Sequence, residues 1–263
     1  MLLAINANNT NTVFAVWDGA TLKGSWRAGT APGRTADEYV VWLDHLLALE
    51  KLSRAKISRA IIASVVPEAN FNLRRLCRHY CGTEPLVVGE EGVKIGAKAL
   101  VDQAAEVGAD RLVNTVAAHD RYKGPLIVVD FGTATTFDVV DRDGNYRGGV
   151  IAPGINLSLQ ALHQAAAKLP SVPIRRTDNV IGTSTIACMQ SGIFWGYVSL
   201  IEGLVARIRQ EFGAKMSTVA TGGLAALFDG ATPAIDRTDP HLTLWGLYLI
   251  DRLNRKKSGK RAT

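Results

Sequence analysis

Long apolar runs are missing from this sequence of 263 residues. A membrane span takes about 20 consecutive apolar residues, and no stretch approaches that. The apolar opening Met1 to Ile5 is too short for a secretory leader, has no basic residue ahead of it, and gives way at once to Asn6 and Asn8. Cysteine is scarce: Cys77, Cys81 and Cys188 are an odd set of three, too few for a disulfide framework, so free thiols in a reducing cytoplasm are expected. The glycine-lysine phosphate loop Gly-x-x-x-x-Gly-Lys-Ser/Thr is absent, as are the protein-kinase motif set and the Gly-x-Ser-x-Gly elbow of serine hydrolases. The five histidines are scattered without metal-ligand spacing. Positive charge is also scarcer than the net +6 suggests. Residues 251 to 263 hold six basic side chains, Arg252, Arg255, Lys256, Lys257, Lys260 and Arg261, against the single acid Asp251, so about +5 of the +6 sits in this segment, whose residues 252–263 read as a basic tail. The rest is nearly neutral, and neither a nucleic-acid nor a membrane partner is expected.

What the chain does have is the balance of a globular protein, 47% hydrophobic and 21% charged, and an internal repeat. Leu2 to Gly19 reads as a buried apolar strand, a tight polar turn of small residues, a second strand and then an Asp18-Gly19 hairpin signal leading to a third. About 124 residues later Leu126 to Val140, closing at Asp143-Gly144, repeats the layout. Each half therefore starts with a three-stranded meander. Helical patterns over Thr35 to Glu50, Leu157 to Ala167, Thr185 to Phe212 and Leu242 to Arg255 alternate with buried strands at Ala60 to Val66 and Ser217 to Thr221. Pro67 ends the first of those strands. The pattern predicts an α/β protein of two duplicated domains, 1–118 and 119–251, with a nucleotide cleft between them.

Phosphate binding needs small residues whose backbone N–H groups can approach closely, with hydroxyls and a carboxylate nearby. Asp130-Phe131-Gly132-Thr133-Ala134-Thr135-Thr136 supplies all of these in seven residues. Gly132 relieves the turn of a Cβ, the threonines offer hydroxyls, and Asp130 at the strand end can reach a cation. Asp110 and Arg111 open a helix whose inner face is Leu112, Val113, Val116 and Ala117; an acid there also serves as an ordinary helix cap, and the two readings stay open. Gly148 to Gly154 and Thr221-Gly222-Gly223 read as glycine-rich turns after strands, the second suited to close approach by adenosine or phosphate.

These residues resemble the type III pantothenate kinases from Leu3 to about Asp251. The likeness is carried by Asn9 to Val13, Ser64 to Pro67, Glu106 to Arg111, Asp130 to Thr136, Gly149 to Ile155, Met189 to Gly192 and Thr221 to Gly223. The resemblance implies a duplicated ribonuclease-H-like fold of the acetate-kinase, sugar-kinase and actin superfamily, and a cytoplasmic homodimer. It also implies transfer of the γ-phosphoryl of ATP to pantothenate, the first step of coenzyme A synthesis, with Mg²⁺ and a monovalent cation, K⁺ or NH₄⁺. Carried over by position, Asp110 is the general base. Gly108, Ala109, Asp110, Arg111 and Thr185 meet pantothenate, Thr185 from across the dimer interface. Asn6, Ala7, Asn8, Asn9, Thr10, Asn11, Thr12 and Val13, with Gly132, Thr133, Gly222 and Gly223, hold the nucleotide, and Asp130 holds the monovalent cation.

The sequence departs from the family at its first turn, with Asn6-Ala7-Asn8-Asn9-Thr10 where the family has Asp-x-Gly-Asn-Thr. Asn6 keeps a carbonyl acceptor but has no charge for a Mg²⁺–triphosphate. Asn8 is the milder change if that position is left-handed, since Asn tolerates such backbone. Ala104 replaces a usual proline, and Thr183-Ser184 a usual Lys-Asn or Lys-Asp. The expectation is a site that binds nucleotide but transfers phosphate roughly 10²–10³-fold more slowly. The alternative is a weakened paralogue that binds nucleotide or pantothenate in a regulatory role.

Overall fold

The computed structural model describes residues 1–165 and 169–255. They form two compact units. The first comprises residues 1–98, 105–117 and the chain from Thr243 onward; the second comprises residues 99–104 and 118–242.

In the first unit, β1 (Leu2–Ala7), β2 (Asn11–Asp18) and β3 (Thr21–Gly29) make the expected antiparallel meander, and β4 (Arg59–Ser64) and β5 (Pro85–Val87) add in parallel. The strand order is β3-β2-β1-β4-β5. Helix α1 (Ala36–Leu49) starts with a capping box: Thr35 Oγ1 accepts from Glu38 N at 3.3 Å and Glu38 Oε2 accepts from Thr35 N at 2.8 Å. Strand β4 stops at Ser64, short of the end expected at Pro67, and Pro67 instead opens α2 (Pro67–Arg75), because its missing N–H costs nothing in the first helical turn.

Strand β1 is buried on both faces, and its period-2 alternation divides it cleanly. Leu3, Ile5 and Ala7 pack with α1 residues Tyr39, Leu43 and Leu47. Leu2 and Ala4 pack on the other face with Ala15, Trp17, Ile61 and Ala63, and with helix residues Val113, Leu244, Leu247 and Ile250.

The second unit repeats the design. Strands β6 (Leu126–Phe131), β7 (Ala134–Val140) and β8 (Tyr146–Pro153) form the meander, and β9 (Ser217–Thr221) and β10 (Arg237–Thr238) extend it in parallel, in the order β10-β9-β6-β7-β8. Ile127, Val129 and Phe131 meet Phe194, Tyr197, Ile201 and Val205 of the long helix α5 (Thr185–Phe212), with Phe228 stacked among them. Both sheets have the ribonuclease-H-like order, so the chain has the duplicated α/β fold of the actin-like ATPases.

Three details differ from the sequence reading. The segment from Gly148 to Pro153 is not a turn but part of β8, paired to β7 through a register shift, and only Gly154 turns the chain into α4 (Ile155–Ala165). The end expected for that helix, at Ala167, lies outside the described residues. Helix α3 (Ala109–Tyr122) runs from the first unit into the second, and α6 (Leu242–Asn254) packs in the first unit, where the sequence reading groups residues 119–251 together. The cause is the second apolar face of β1, which Leu247 and Ile250 help to cover. Of the basic tail, Arg255 pairs with Asp251 at 2.9 Å, and Lys256, Lys257, Lys260 and Arg261 lie outside the described residues.

Candidate functional site

In the second unit the expected phosphate turn is tight and crowded on one side. Asp130 pairs with Thr136 and Phe131 with Thr135, leaving residues 132–134 to make the turn, closed by Gly132 N donating to Ala134 O at 3.0 Å. Gly154 N donates to Thr133 O at 3.0 Å, and a Cβ on Gly154 would sit 2.6 Å from Gly132 O and collide with Thr133 O. Gly222, at φ +93°, closes the other flank. A Cβ there would collide with Asp130 Oδ1 and lie 2.6 Å from both Phe131 N and Phe131 O. Asp130, Gly132, Thr133, Gly154 and Gly222 therefore form one constellation, with Gly223 exposed beside it. Gly132 is in a different position from the one the sequence suggests. It is not left-handed, and an added Cβ would meet only Ala134 O, at 3.4 Å. The fold does not demand glycine there, so its bare, exposed flank is free for a ligand.

The first unit carries the same turn with one more residue. Ala7 pairs with Thr12, leaving residues 8–11, and Asn8 N donates to Asn11 O at 3.1 Å. Asn8 is not among the residues with positive φ, so its tolerance of left-handed backbone is not what places it. Asn6 falls on the same face of β1 as Leu2 and Ala4. It is 5% exposed, and its Oδ1, like that of Asn8, is a buried acceptor with no donor. Buried acceptors without donors are uncommon, and these two, within three residues at a strand end, are open to a cation or to a donor from outside. Both are hard, neutral oxygens, which fit a metal that keeps most of its ligands as water and phosphate. Among the described residues no group of three or more His, Cys, Asp and Glu could hold a metal by itself.

Asp110 lies in the first turn of α3, on that same face of the first sheet. Ala109 and Val13 both pack against the apolar cluster that contains Leu2, Ala4 and Ala63, and both Val13 and Ala63 are ladder partners of Asn6. The Asp110 carboxylate accepts from Arg111 N at 2.8 Å through Oδ1, and a Cβ on Gly108 would lie 2.7 Å from that oxygen. Burial pushes the Asp110 carboxyl above its ordinary range, although the Arg111 amide and guanidinium pull it down. A desolvated carboxylate of raised basicity at a helix start is a better proton acceptor than an exposed one.

The family model for type III pantothenate kinases matches residues 2–207. The chain belongs to the type III pantothenate kinase family. The type III pantothenate kinase of Paramagnetospirillum magneticum (strain ATCC 700264 / AMB-1) is 65% identical over 254 residues, covering 97% of this chain and 98% of that protein. The one from Rhodospirillum rubrum is 61% identical over 255 residues, covering 97% and 99%. Among solved structures, the activator of the 2-hydroxyisocaproyl-CoA dehydratase from Clostridium difficile, with bound ADPNP, matches at a TM-score of 0.57 over 100% of this chain and 99% of that one; at 10% identity the likeness is of fold alone.

The remaining family position, Thr185, is exposed in the first turn of α5, behind Ser184, whose Oγ accepts from Ala187 N at 3.2 Å. Thr30, which hydrogen-bonds Asn8 in the first turn, and Tyr197, which hydrogen-bonds Thr135 beside the second, escape a sequence reading because neither belongs to the repeated segments. Gly154 was within reach of it, as the glycine that ends the run beginning at Gly148. Among the described residues no helix is long and apolar enough to cross a membrane.

Proposed function

We propose that this member of the family phosphorylates pantothenate with ATP, giving 4'-phosphopantothenate, the first committed product on the way to coenzyme A. Family membership over nearly the full chain supports the reaction. The single observation that carries the mechanism is Asp110: a half-buried carboxylate of raised basicity, held by a helix-start amide next to the bare Cα of Gly108. Its free oxygen takes the proton of the pantothenate primary hydroxyl as that oxygen attacks the γ-phosphorus. The bond from the γ-phosphorus to the bridging oxygen breaks, and ADP leaves with the electron pair. Gly108, Ala109 and Arg111 line the alcohol side with Asp110, and Thr185 reaches pantothenate from the other copy of a homodimer.

Each unit offers its own turn to phosphoryl oxygens, Asn6 to Val13 in the first and Gly132 with Thr133 in the second. Gly222 and Gly223 leave room for the adenosine. Mg²⁺, bound with the nucleotide, supplies charge that neutralises the β- and γ-phosphoryl oxygens. The side-chain Oδ1 atoms of Asn6 and Asn8 would be the acceptors offered to it or to its waters. Asp130, its carboxylate lodged against the bare Cα of Gly222, holds the monovalent cation, K⁺ or NH₄⁺. The enzyme works in the cytoplasm, where ATP and the later steps of the pathway are found.

The experiment is a coupled ADP-release assay with pantothenate, ATP, Mg²⁺ and K⁺, beside Asp110→Asn. Pantothenate-dependent ADP release that the substitution abolishes is the expected result. Release no faster with pantothenate than without it would overturn the assignment.

A further inference from the structure

Each meander is closed by a clasp that the nucleotide-binding reading does not itself require. Aligned by ladder register, Thr12 and Thr135 occupy the same place, the first residue after the turn, and both are buried, at 0% and 1% exposure. Each hydroxyl meets a second hydroxyl from outside its hairpin. Thr12 Oγ1 lies 2.9 Å from Thr30 Oγ1, and Thr135 Oγ1 lies 2.7 Å from the Tyr197 phenol oxygen. Each of these outer hydroxyls also reaches a carbonyl: Thr30 Oγ1 donates to Asn8 O at 2.6 Å, and the Tyr197 hydroxyl donates to Pro153 O at 2.6 Å. A hydroxyl has one proton and a carbonyl can only accept, so Thr12 is the donor to Thr30, while the Tyr197 hydroxyl is placed to share its one proton between Thr135 Oγ1 and Pro153 O. Burial pushes the Tyr197 phenol above its ordinary value, which keeps it a proton donor.

The backbone repeats the same contact. Thr30 N donates to Thr10 O and Gly154 N donates to Thr133 O, both at 3.0 Å, so the chain leaving the third strand grips the turn identically in both units. Thr30 and Gly154 are thus equivalent, and their difference explains why the clasps differ. At Gly154 a side chain would collide with Thr133 O, so the hydroxyl has to come from elsewhere, and α5 delivers it as Tyr197.

We propose that the Thr30 hydroxyl, with the Tyr197 hydroxyl as its counterpart, is a positioning group that fixes the nucleotide-binding turn of its unit. The proposal rests on the reading of those turns as the ATP site. Thr30 touches neither substrate in that scheme; it acts through Asn8 and Thr10, whose carbonyls it pins so that the amides between them keep one direction. Removing the hydroxyl leaves the Asn8 carbonyl and the Thr12 hydroxyl without their partner and lets the turn sample other conformations before nucleotide arrives.

The test compares Thr30→Val, Thr30→Ser and Tyr197→Phe with the parent by steady-state kinetics and by isothermal titration with MgADP, which needs no turnover. Thr30→Val and Tyr197→Phe are expected to raise the KM for ATP and the Kd for ADP by roughly five- to thirty-fold, about what one or two lost hydrogen bonds produce. The KM for pantothenate stays within about twofold, and Thr30→Ser restores the parental values. Titrated heats are scaled to the folded fraction, so a merely destabilised variant shows fewer sites at unchanged Kd, and that result overturns the proposal. So does a Thr30→Ser that behaves like Thr30→Val. A parent that binds ADP beside a Thr30→Val of equal affinity sinks this inference alone, whereas a parent that binds no ADP takes the nucleotide site down with it.

Discussion

Replacing Asn6 by Asp separates what this turn binds from how fast it works. The two side chains are nearly the same shape, so the substitution adds one negative charge and little else at a position 5% exposed whose Oδ1 has no donor. Two opposite effects follow. Without nucleotide the new carboxylate is desolvated and unpaired, so Asn6→Asp melts below the parent at neutral pH, and the gap narrows on acidification as the group takes up a proton. In the proposed nucleotide site, MgATP would bring a cation to that charge. One pair of unit charges about 4 Å apart at an effective dielectric of 20 is worth about 4 kcal/mol. A loss of one preorganised electrostatic group slows catalysis by roughly 10²–10³-fold, or about 2.7–4 kcal/mol, so a single missing charge is large enough to account for the whole expected deficit. The assay is kcat at saturating ATP and pantothenate, with melting temperatures measured with and without MgATP. Asn6→Asp should be about 10²–10³-fold faster than the parent and should gain more from MgATP in melting temperature. An Asn6→Asp enzyme no faster than the parent refutes the reasoning, whatever its stability.

Asp110→Asn should abolish turnover yet melt above the parent at pH 7. The folded-state pKa of Asp110 is raised, so its ionised form is penalised by the fold above that pKa, and the advantage of the neutral amide shrinks as the pH falls toward the ordinary aspartate range. For the same reason the acid limb of kcat/KM should lie above the pH at which an exposed aspartate titrates, a profile that initial rates over pH 4 to 8 would establish. Gly132→Ala and Gly222→Ala should part company. The first has room for its methyl and should fold at close to parental stability while losing nucleotide affinity. The second combines φ +93° with a collision at Asp130 and should lose about 2 kcal/mol or more in denaturant unfolding. Thr35→Ala, which removes the capping box of α1, should cost about 1 kcal/mol by the same measurement and leave the KM values unchanged.

The duplicated meander was legible because it is written in period-2 burial and in the Asp-Gly hairpin signals, which are local. The elements of the candidate site were legible where small residues and an acid follow a buried strand, as at Asp130 to Thr136, or open a helix, as at Asp110. The glycines were harder to read. Gly132 looked like a steric necessity and is not, whereas Gly154 and Gly222 are, because the obstruction comes from Thr133 and Asp130, residues distant in sequence that the sheet brings alongside. The same non-locality hid the Thr12–Thr30 and Thr135–Tyr197 pairs, separated by 18 and 62 residues. It also hid the partner of α6, whose amphipathic pattern announces a buried face without saying which sheet receives it.

That last assignment constrains how the protein is made. Leu2, Ala4 and Ile61 leave the ribosome well before Leu247 and Ile250, which help to shield them, and every strand of the other sheet is made in between. The amino-terminal strands must therefore wait, with part of one sheet surface wet, until α6 has been made. A premature stop between Thr238 and Thr243 would leave that surface without Leu244, Leu247 and Ile250 and prone to aggregate, even though both sets of strands had been made in full.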